Sequence, residues 1–270
     1  MTQDSFSLKG KSAYILGGSG LIGREISLEF TRLGAKVLIL DNNKKRSISI
    51  SEEMKRYNQD SSYCFFDCSD MDNIENQLEK IISVYSVPHI FINCSYPRTQ
   101  DWSNSSFKKI SLDSFRKNVD IHLNSYSWTA KLMADKMSLE GIQGSIILMS
   151  SIYGLKVQDI SIYEGTNLEE NMAYPPIKAA IIHISKQLAA FYGRFGIRVN
   201  SVCPGGIQGP VAGKKAKQDD TFVERYIKKT PLGRMTKPED IASLSAFLAS
   251  DASSYITGQA IAVDGGISLS

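Results

Sequence analysis

No stretch of 18 apolar residues occurs in the 270-residue chain, so no segment reads as a transmembrane helix. The first residues, Met-Thr-Gln-Asp-Ser-Phe-Ser, lack the basic start and apolar core of a signal peptide, and a cytoplasmic location is expected. Histidine is scarce: the 3 residues, His89, His122 and His183, have no ligand spacing, so no metal site is expected. The 4 cysteines, Cys64, Cys68, Cys94 and Cys203, form no Cys-x-x-Cys pair and read as reduced thiols. Charge of one sign is missing too. The 31 Lys and Arg nearly cancel 28 Asp and Glu, and a net +3 implies no basic face for nucleic acid. Repeats, linkers and low-complexity segments are absent, so residues 1–270 read as one domain.

What is present alternates. Residues 12–16 are a short apolar run of strand length, followed by Gly17-Gly18-Ser19-Gly20-Leu21-Ile22-Gly23. Ile22, Ile26, Phe30 and Leu33 then recur at helical spacing, and 36–40 is a second apolar run closing at Asp41. Glycines at the first turn of such a strand-helix-strand unit let a pyrophosphate approach backbone N–H groups at the helix N-terminus. Asp41 lies 24 residues after Gly17, where an acid would bond the adenosine ribose hydroxyls and repel a 2′-phosphate. NAD is therefore favoured over NADP, although Lys44, Lys45 and Arg46 just downstream could neutralise a phosphate.

Further strands are expected over 62–66 (ending at Asp67), 89–92 (ending in Asn93-Cys94-Ser95-Tyr96-Pro97-Arg98), 145–149 (ending at Ser150-Ser151), 197–202 (ending in Pro204-Gly205-Gly206-Ile207) and 259–263. Helices are expected over 71–84, 112–139, 222–229 and 238–249. This order predicts an α/β doubly wound parallel sheet, a Rossmann fold of about seven strands with helices on both faces. Residues 152–173 form a polar stretch without clean period, long enough to suggest a substrate loop, and 209–220 reads as a mobile segment.

Tyr174 and Lys178 are four residues apart, on one face if their segment is helical. With 12 Tyr and 31 basic residues, composition alone supplies such a pair by chance. Its weight comes from position, because the glycine turn, Asp41, Asp67, Asn93, Ser151 and Pro204 all fall at the carboxyl ends of strands, where ligands bind.

These motifs resemble the short-chain dehydrogenase/reductase family over essentially the whole chain. The carriers are the glycine turn, Asn93-Cys94-Ser95-Tyr96, Ser150-Ser151, Tyr174-x-x-x-Lys178, Pro204-Gly205, the stretch Pro231–Ile241, Ser254–Gln259 and Val263-Asp-Gly-Gly266. Tyr96-Pro97-Arg98, Ser151–Gly154, Ile162–Gly165 and the long insert further resemble flagellin-modification oxidoreductases of bacterial sugar gene clusters. The resemblance implies hydride transfer between a nicotinamide cofactor and a hydroxyl or carbonyl. Tyr174 would exchange the proton, Lys178 would lower the Tyr174 pKa and hold the nicotinamide ribose, and Ser151 would bond the substrate oxygen. Cofactor contacts would come from Gly17, Ser19, Gly20, Leu21, Ile22, Gly23, Asp41, Asn42, Asp67, Cys68, Asn93, Cys94, Ser95, Tyr174, Lys178, Pro204, Gly205, Gly206 and Ile207.

Three departures stand out. Leu21 replaces the family's usual middle glycine, Ser151 and Tyr174 are 23 residues apart rather than closer, and His122 falls where an Asn usually holds a relay water. Asn124 or Asn118 could be that equivalent instead. Arg98, Tyr153 and Tyr163 are expected at the substrate, with Lys214, Lys215 and Lys217 able to add charge; this suits an anionic group, and the resemblance to flagellin-modification oxidoreductases implies a sugar phosphate or nucleotide sugar in surface or flagellin glycan synthesis. A non-catalytic dinucleotide-binding sensor is the alternative. An epimerase or dehydratase would need a larger C-terminal domain than the residues after Pro204 provide. The family's habit implies a homodimer or homotetramer, with no nucleic acid and no membrane as partner.

Overall fold

The computed structural model describes residues 4–209 and 218–269. Seven strands, β1 (Ser12–Leu16), β2 (Lys36–Asp41), β3 (Ser62–Phe65), β4 (Ile90–Asn93), β5 (Ser145–Met149), β6 (Arg198–Pro204) and β7 (Ala260–Val263), pair in parallel in the order β3-β2-β1-β4-β5-β6-β7. The order reverses at β1, where Leu16 pairs with Leu40 on one side and Asn93 on the other. That reversal opens a crevice at the carboxyl ends of the strands.

Among the described residues eight helices accompany the sheet: α1 (Leu21–Arg32), α2 (Lys44–Met54), α3 (Ile74–Tyr85), α4 (Leu112–Asn118), α5 (Ser125–Leu139), α6 (Tyr174–Tyr192), α7 (Asp220–Lys229) and α8 (Pro238–Ala249). Alternate strand residues point to opposite faces. Tyr14, Leu16, Leu38, Phe91 and Ile146 pack with α3, α5 and α6 on one face. Ala13, Ile15, Val37, Ile39 and Ile147 pack with α1, α2 and α8 on the other. Covering both faces is why these strands read as continuous apolar runs rather than alternating ones.

Three expectations need correction. The helix expected over 112–139 is interrupted by one π-helical turn, Val119–Asn124, between α4 and α5. A single wide turn adds one residue without breaking the apolar pattern on either side, so spacing does not betray it. Of the mobile segment expected over 209–220, residues 210–217 lie outside the described residues, and its far end at Asp219 and Asp220 belongs to α7 and its cap. Asp219 accepts from Phe222 N at 3.1 Å and caps α7, while Lys214, Lys215 and Lys217 lie outside the described residues.

The third concerns 152–173, which is not a plain loop. It carries two 3₁₀ turns, Ile152–Gly154 and Ile160–Ile162, and is fastened from both sides. Lys229 pairs with Asp159 and bonds Ser161 Oγ at 3.0 Å, and Arg225 donates to the carbonyls of Ser161 and Glu164. On the opposite side Lys109 pairs with Glu169 at 2.7 Å, and Met172 N bonds Ser105 O at 2.8 Å. A separate apolar cluster of Ile152, Ile162, Phe222, Tyr226, Met235 and Ile267 anchors the segment to α7.

Candidate active site

The glycine turn is shaped by close approach. Gly17 has φ +77°, and a Cβ there would lie 2.6 Å from the Ser95 backbone. A Cβ on Gly23 would lie 2.1 Å from Gly17 O, so only glycine lets α1 start so near β1. Gly20 is less constrained, and Leu21 is exposed, its side chain within 2.9 Å of where a Gly209 Cβ would stand. Asp41 is buried with one oxygen accepting from Ser19 N at 3.0 Å and the other from Asn43 N at 2.8 Å. The acid thus braces the turn, and Asn42 is exposed beside it. Ser19 Oγ is buried and has no partner.

The other strand ends are braced from inside. Asn93 is fully buried, accepts from Ser95 N at 3.1 Å and Ser95 Oγ at 2.7 Å, and donates to Thr129 Oγ1 at 3.2 Å. Cys94 Sγ lies 3.2 Å from Leu16 O, and burial pushes its thiol up to about 12 and that of Cys68 up to about 11. Asp67 accepts from Ser69 N at 3.0 Å, which closes a local turn. Beyond β6, Gly205 N bonds Val263 O at 3.0 Å, Gly206 N donates to Tyr226 Oη, and Ile207 bridges to Thr236.

Ser150 and Ser151 do different things. Ser150 Oγ donates to Lys178 O at 2.7 Å and ties β5 to α6. Ser151 Oγ caps the turn at Tyr153 N, 3.2 Å away, and its polarity near Tyr174 works against the upward pull of burial on the phenol. Pro175 and Pro176 occupy the first turn of α6, where a missing N–H costs little. Asn171 Oδ1 accepts from Ala173 N at 2.9 Å and Tyr174 N at 2.8 Å, so the insert caps the helix that carries the tyrosine.

Lys178 Nζ lies 5.5 Å from the Tyr174 ring centroid and donates to Met149 O at 2.9 Å. Burial pulls its pKa down to about 7, and burial pushes Tyr174 up to about 12. The lowering of the phenol expected from Lys178 is therefore not what the protein's own groups produce. Burial acts on both groups and dominates over their mutual attraction.

His122 sits in the π turn, wholly buried, with both ring nitrogens unpartnered. Burial first, and the nearby Lys178 charge second, hold its pKa well below the usual imidazole value. The two alternatives are occupied or remote. Asn118 accepts from Thr99 N at 3.0 Å and donates to Thr99 Oγ1 and Ser114 O, both at 2.8 Å. Asn124 is exposed and donates to Asp120 at 2.8 Å.

Around Tyr174 stands an aromatic wall of which Trp102 is the one member the sequence motifs did not mark. Tyr96, Trp102, Tyr153 and His122 have ring centroids 5.9, 6.3, 6.5 and 6.5 Å from that of Tyr174. Trp102 is one of only 2 tryptophans, and that rarity was the one signal available in the sequence. Of the expected substrate residues, Arg98 stacks its guanidinium 5.3 Å from the Tyr96 centroid. Tyr153 and Tyr163 meet hydroxyl to hydroxyl at 3.3 Å, with Tyr163 turned toward Phe222.

The glycine turn at a helix N-terminus, the acid at the end of β2 and the unpartnered Ser19 hydroxyl fit a nicotinamide dinucleotide. Among the described residues no group of His, Cys, Asp or Glu gathers as a metal site, and no helix is long and apolar enough to cross a membrane.

A family model described as enoyl-(acyl carrier protein) reductase matches residues 19–268. A tropinone reductase homolog of Arabidopsis thaliana is 30% identical over 99% of this chain and 96% of its own. The L-rhamnose 1-dehydrogenase (NAD(P)(+)) of Azotobacter vinelandii is 29% identical, covering 95% and 96%. Post-translational flagellin modification protein A of Campylobacter coli is 27% identical, covering 97% and 100%. Among solved structures, a short chain dehydrogenase from Leptospira borgpetersenii with bound NAD+ is 29% identical, with TM-score 0.82 over 99% of this chain and 96% of that one. A gluconate 5-dehydrogenase from Burkholderia cenocepacia, in complex with NADP and tartrate, shares the fold at TM-score 0.86 and 22% identity over 99% and 98%. The chain belongs to the short-chain dehydrogenase/reductase family. It is an NAD(P)-dependent oxidoreductase acting on CH–OH groups.

Proposed function

We propose that the protein uses NAD to oxidise or reduce one carbon of a sugar phosphate or nucleotide-linked sugar. The observation that carries the reading is the junction of Ser151, Tyr174 and Lys178, with the competing Ser150 hydroxyl tied to the α6 backbone. A bound nicotinamide supplies the hydride acceptor or donor. In the oxidative direction Tyr174, as the phenolate formed once the cofactor is bound, takes the substrate hydroxyl proton at Oη and becomes the phenol, while Ser151 Oγ holds the same oxygen. Lys178 Nζ, fixed by Met149 O, would hold the nicotinamide ribose, and its ammonium form beside the Tyr174 ring would stabilise the phenolate. His122, buried, neutral and unpartnered, holds the water that links Lys178 to solvent.

Asp41 supports NAD over NADP, because a 2′-phosphate would meet a buried carboxylate. Contacts from Gly17 to Gly23, Asn42, Asp67, Cys68, Cys94, Ser95 and Pro204 to Ile207 complete the cofactor side. Arg98 and the two insert tyrosines, Tyr153 and Tyr163, support a polar, anionic substrate. The relatives named for rhamnose oxidation and flagellin modification support the carbohydrate class and a role in surface glycan synthesis. A homodimer or homotetramer joined through α5 and α6 completes the reading, and light scattering at micromolar concentration tests it.

The deciding experiment is a panel of sugar phosphates and nucleotide sugars offered with NAD and NADP, followed by nicotinamide absorbance. Turnover of a phosphorylated sugar with NAD supports the proposal. Turnover confined to unphosphorylated alcohols would overturn the substrate class.

A further inference from the structure

Tyr96 and Trp102 stand edge to face, with centroids 5.9 Å apart and planes at 87°. Each also meets the Tyr174 ring nearly at right angles, at 75° and 80°. Neither is sealed in the core: Tyr96 is 38% exposed and Trp102 is half-buried. Both come from the loop between β4 and α4, and the insert closes against that loop through Ser105 and Lys109. Two large apolar rings left partly wet beside a catalytic phenol cost stability unless something covers them.

The geometry points to Trp102, with Tyr96, as the platform on which a closed sugar ring lies while Arg98 takes its anionic group. This rests on the proposed reading of the site as a carbohydrate oxidoreductase and adds the residues that select a ring over an open chain. The axial C–H bonds of a pyranose carry partial positive charge and match the negative face of an aromatic ring. Arg98 lies over Tyr96, so the cation and the platform form one wall, with the ring side at Trp102 and the charged side at Arg98. A small acyclic phosphate would use the Arg98 side alone.

Three probes separate the two halves: glucose 6-phosphate, methyl glucoside (ring without phosphate) and glycerol 3-phosphate (phosphate without ring). Binding is read in the presence of NAD by calorimetry, and by the fluorescence of Trp102 in a Trp128→Phe background. Trp128 lies on α5, where its Nε1 bonds Glu75 at 2.6 Å, away from the catalytic groups. Trp102→Ala is expected to weaken both ring probes about tenfold and glycerol 3-phosphate less than twofold. Trp102→Phe is expected to restore most of the ring affinity, which a merely structural tryptophan would not require. Arg98→Ala should weaken only the two phosphates. Equal losses for all three probes in Trp102→Ala, or no fluorescence change with any ring, would overturn the platform. Binding of methyl glucoside with Trp102 dependence but without any phosphate preference would leave the platform standing and defeat the sugar-phosphate reading.

Discussion

Ser150 Oγ donates to the Lys178 carbonyl at 2.7 Å, so the two adjacent serines at the end of β5 are assigned to different work. Ser150 ties the strand to α6, and Ser151 is the serine proposed to act beside the phenol. Ser151→Ala is expected to lower kcat by about 10²–10³, the usual loss for one oxyanion donor, with an unchanged melting temperature. Ser150→Ala removes this strand-to-helix bond while Lys178 O keeps its intrahelical partner, and is expected to cost about 0.5–1.5 kcal/mol of stability with a much smaller effect on kcat. Thermal unfolding and steady-state rates of both variants separate the roles.

The glycine turn makes graded demands. Gly23→Ala would place a methyl 2.1 Å from Gly17 O, and the expected outcome is loss of measurable NAD binding together with a lower melting temperature. Gly20→Ala meets only Gly17 O at 3.2 Å and is expected to bind NAD within a few-fold of wild type. Calorimetric titration with NAD checks both.

Asp41 braces Ser19 N and, in the proposed cofactor site, is the residue that sets the charge at the ribose end. Asp41→Ser keeps a hydrogen-bond acceptor and removes the charge. The ratio of kcat/KM with NAD to that with NADP is expected to fall by about 10² or more, since burying like charges costs several kcal/mol. An unchanged ratio would remove Asp41 from cofactor selection.

Lys178 gives a pH signature. Burial lowers its folded pKa to about 7, against 10.5 for an ordinary lysine. Between those values the unfolded chain binds more protons than the folded one, so stability rises with pH across that window. Below about 7 the buried ammonium costs its full penalty, and above 10.5 the penalty is gone. Lys178→Met is expected to flatten the rise in melting temperature between pH 7 and 9, although other groups add their own slopes.

Much of this site was readable from the chain, for identifiable reasons. Gly17, Gly23 and Asp41 announce themselves because steric exclusion and charge act at fixed offsets from a strand. The Tyr174 and Lys178 pair became readable once the strands before it were placed. Long-range pairing was not readable: Lys229 fastens Asp159 from 70 residues away, which turns an apparent loop into a clasped segment. Nor was the π turn that buries His122, because it leaves the apolar pattern intact on both sides. The upward shift of the Tyr174 phenol depends on burial by Tyr96 and Trp102, which adjoin it only in three dimensions.

His122 can be tested apart from the fold. His122→Asn supplies another neutral group able to hold a water and is expected to keep kcat within a few-fold. His122→Leu fills the space without polar atoms, and kcat is expected to fall about 10- to 100-fold while NAD affinity holds. Equal rates in both variants would make His122 a packing residue.

Tyr174 is the group proposed to move the proton. Tyr174→Phe removes one oxygen and leaves the aromatic wall in place. With the sugar substrate that turns over in the panel, kcat is expected to fall by about 10³ or more while calorimetry finds NAD bound as in wild type. Turnover persisting near the wild-type rate in that variant would contradict the assignment.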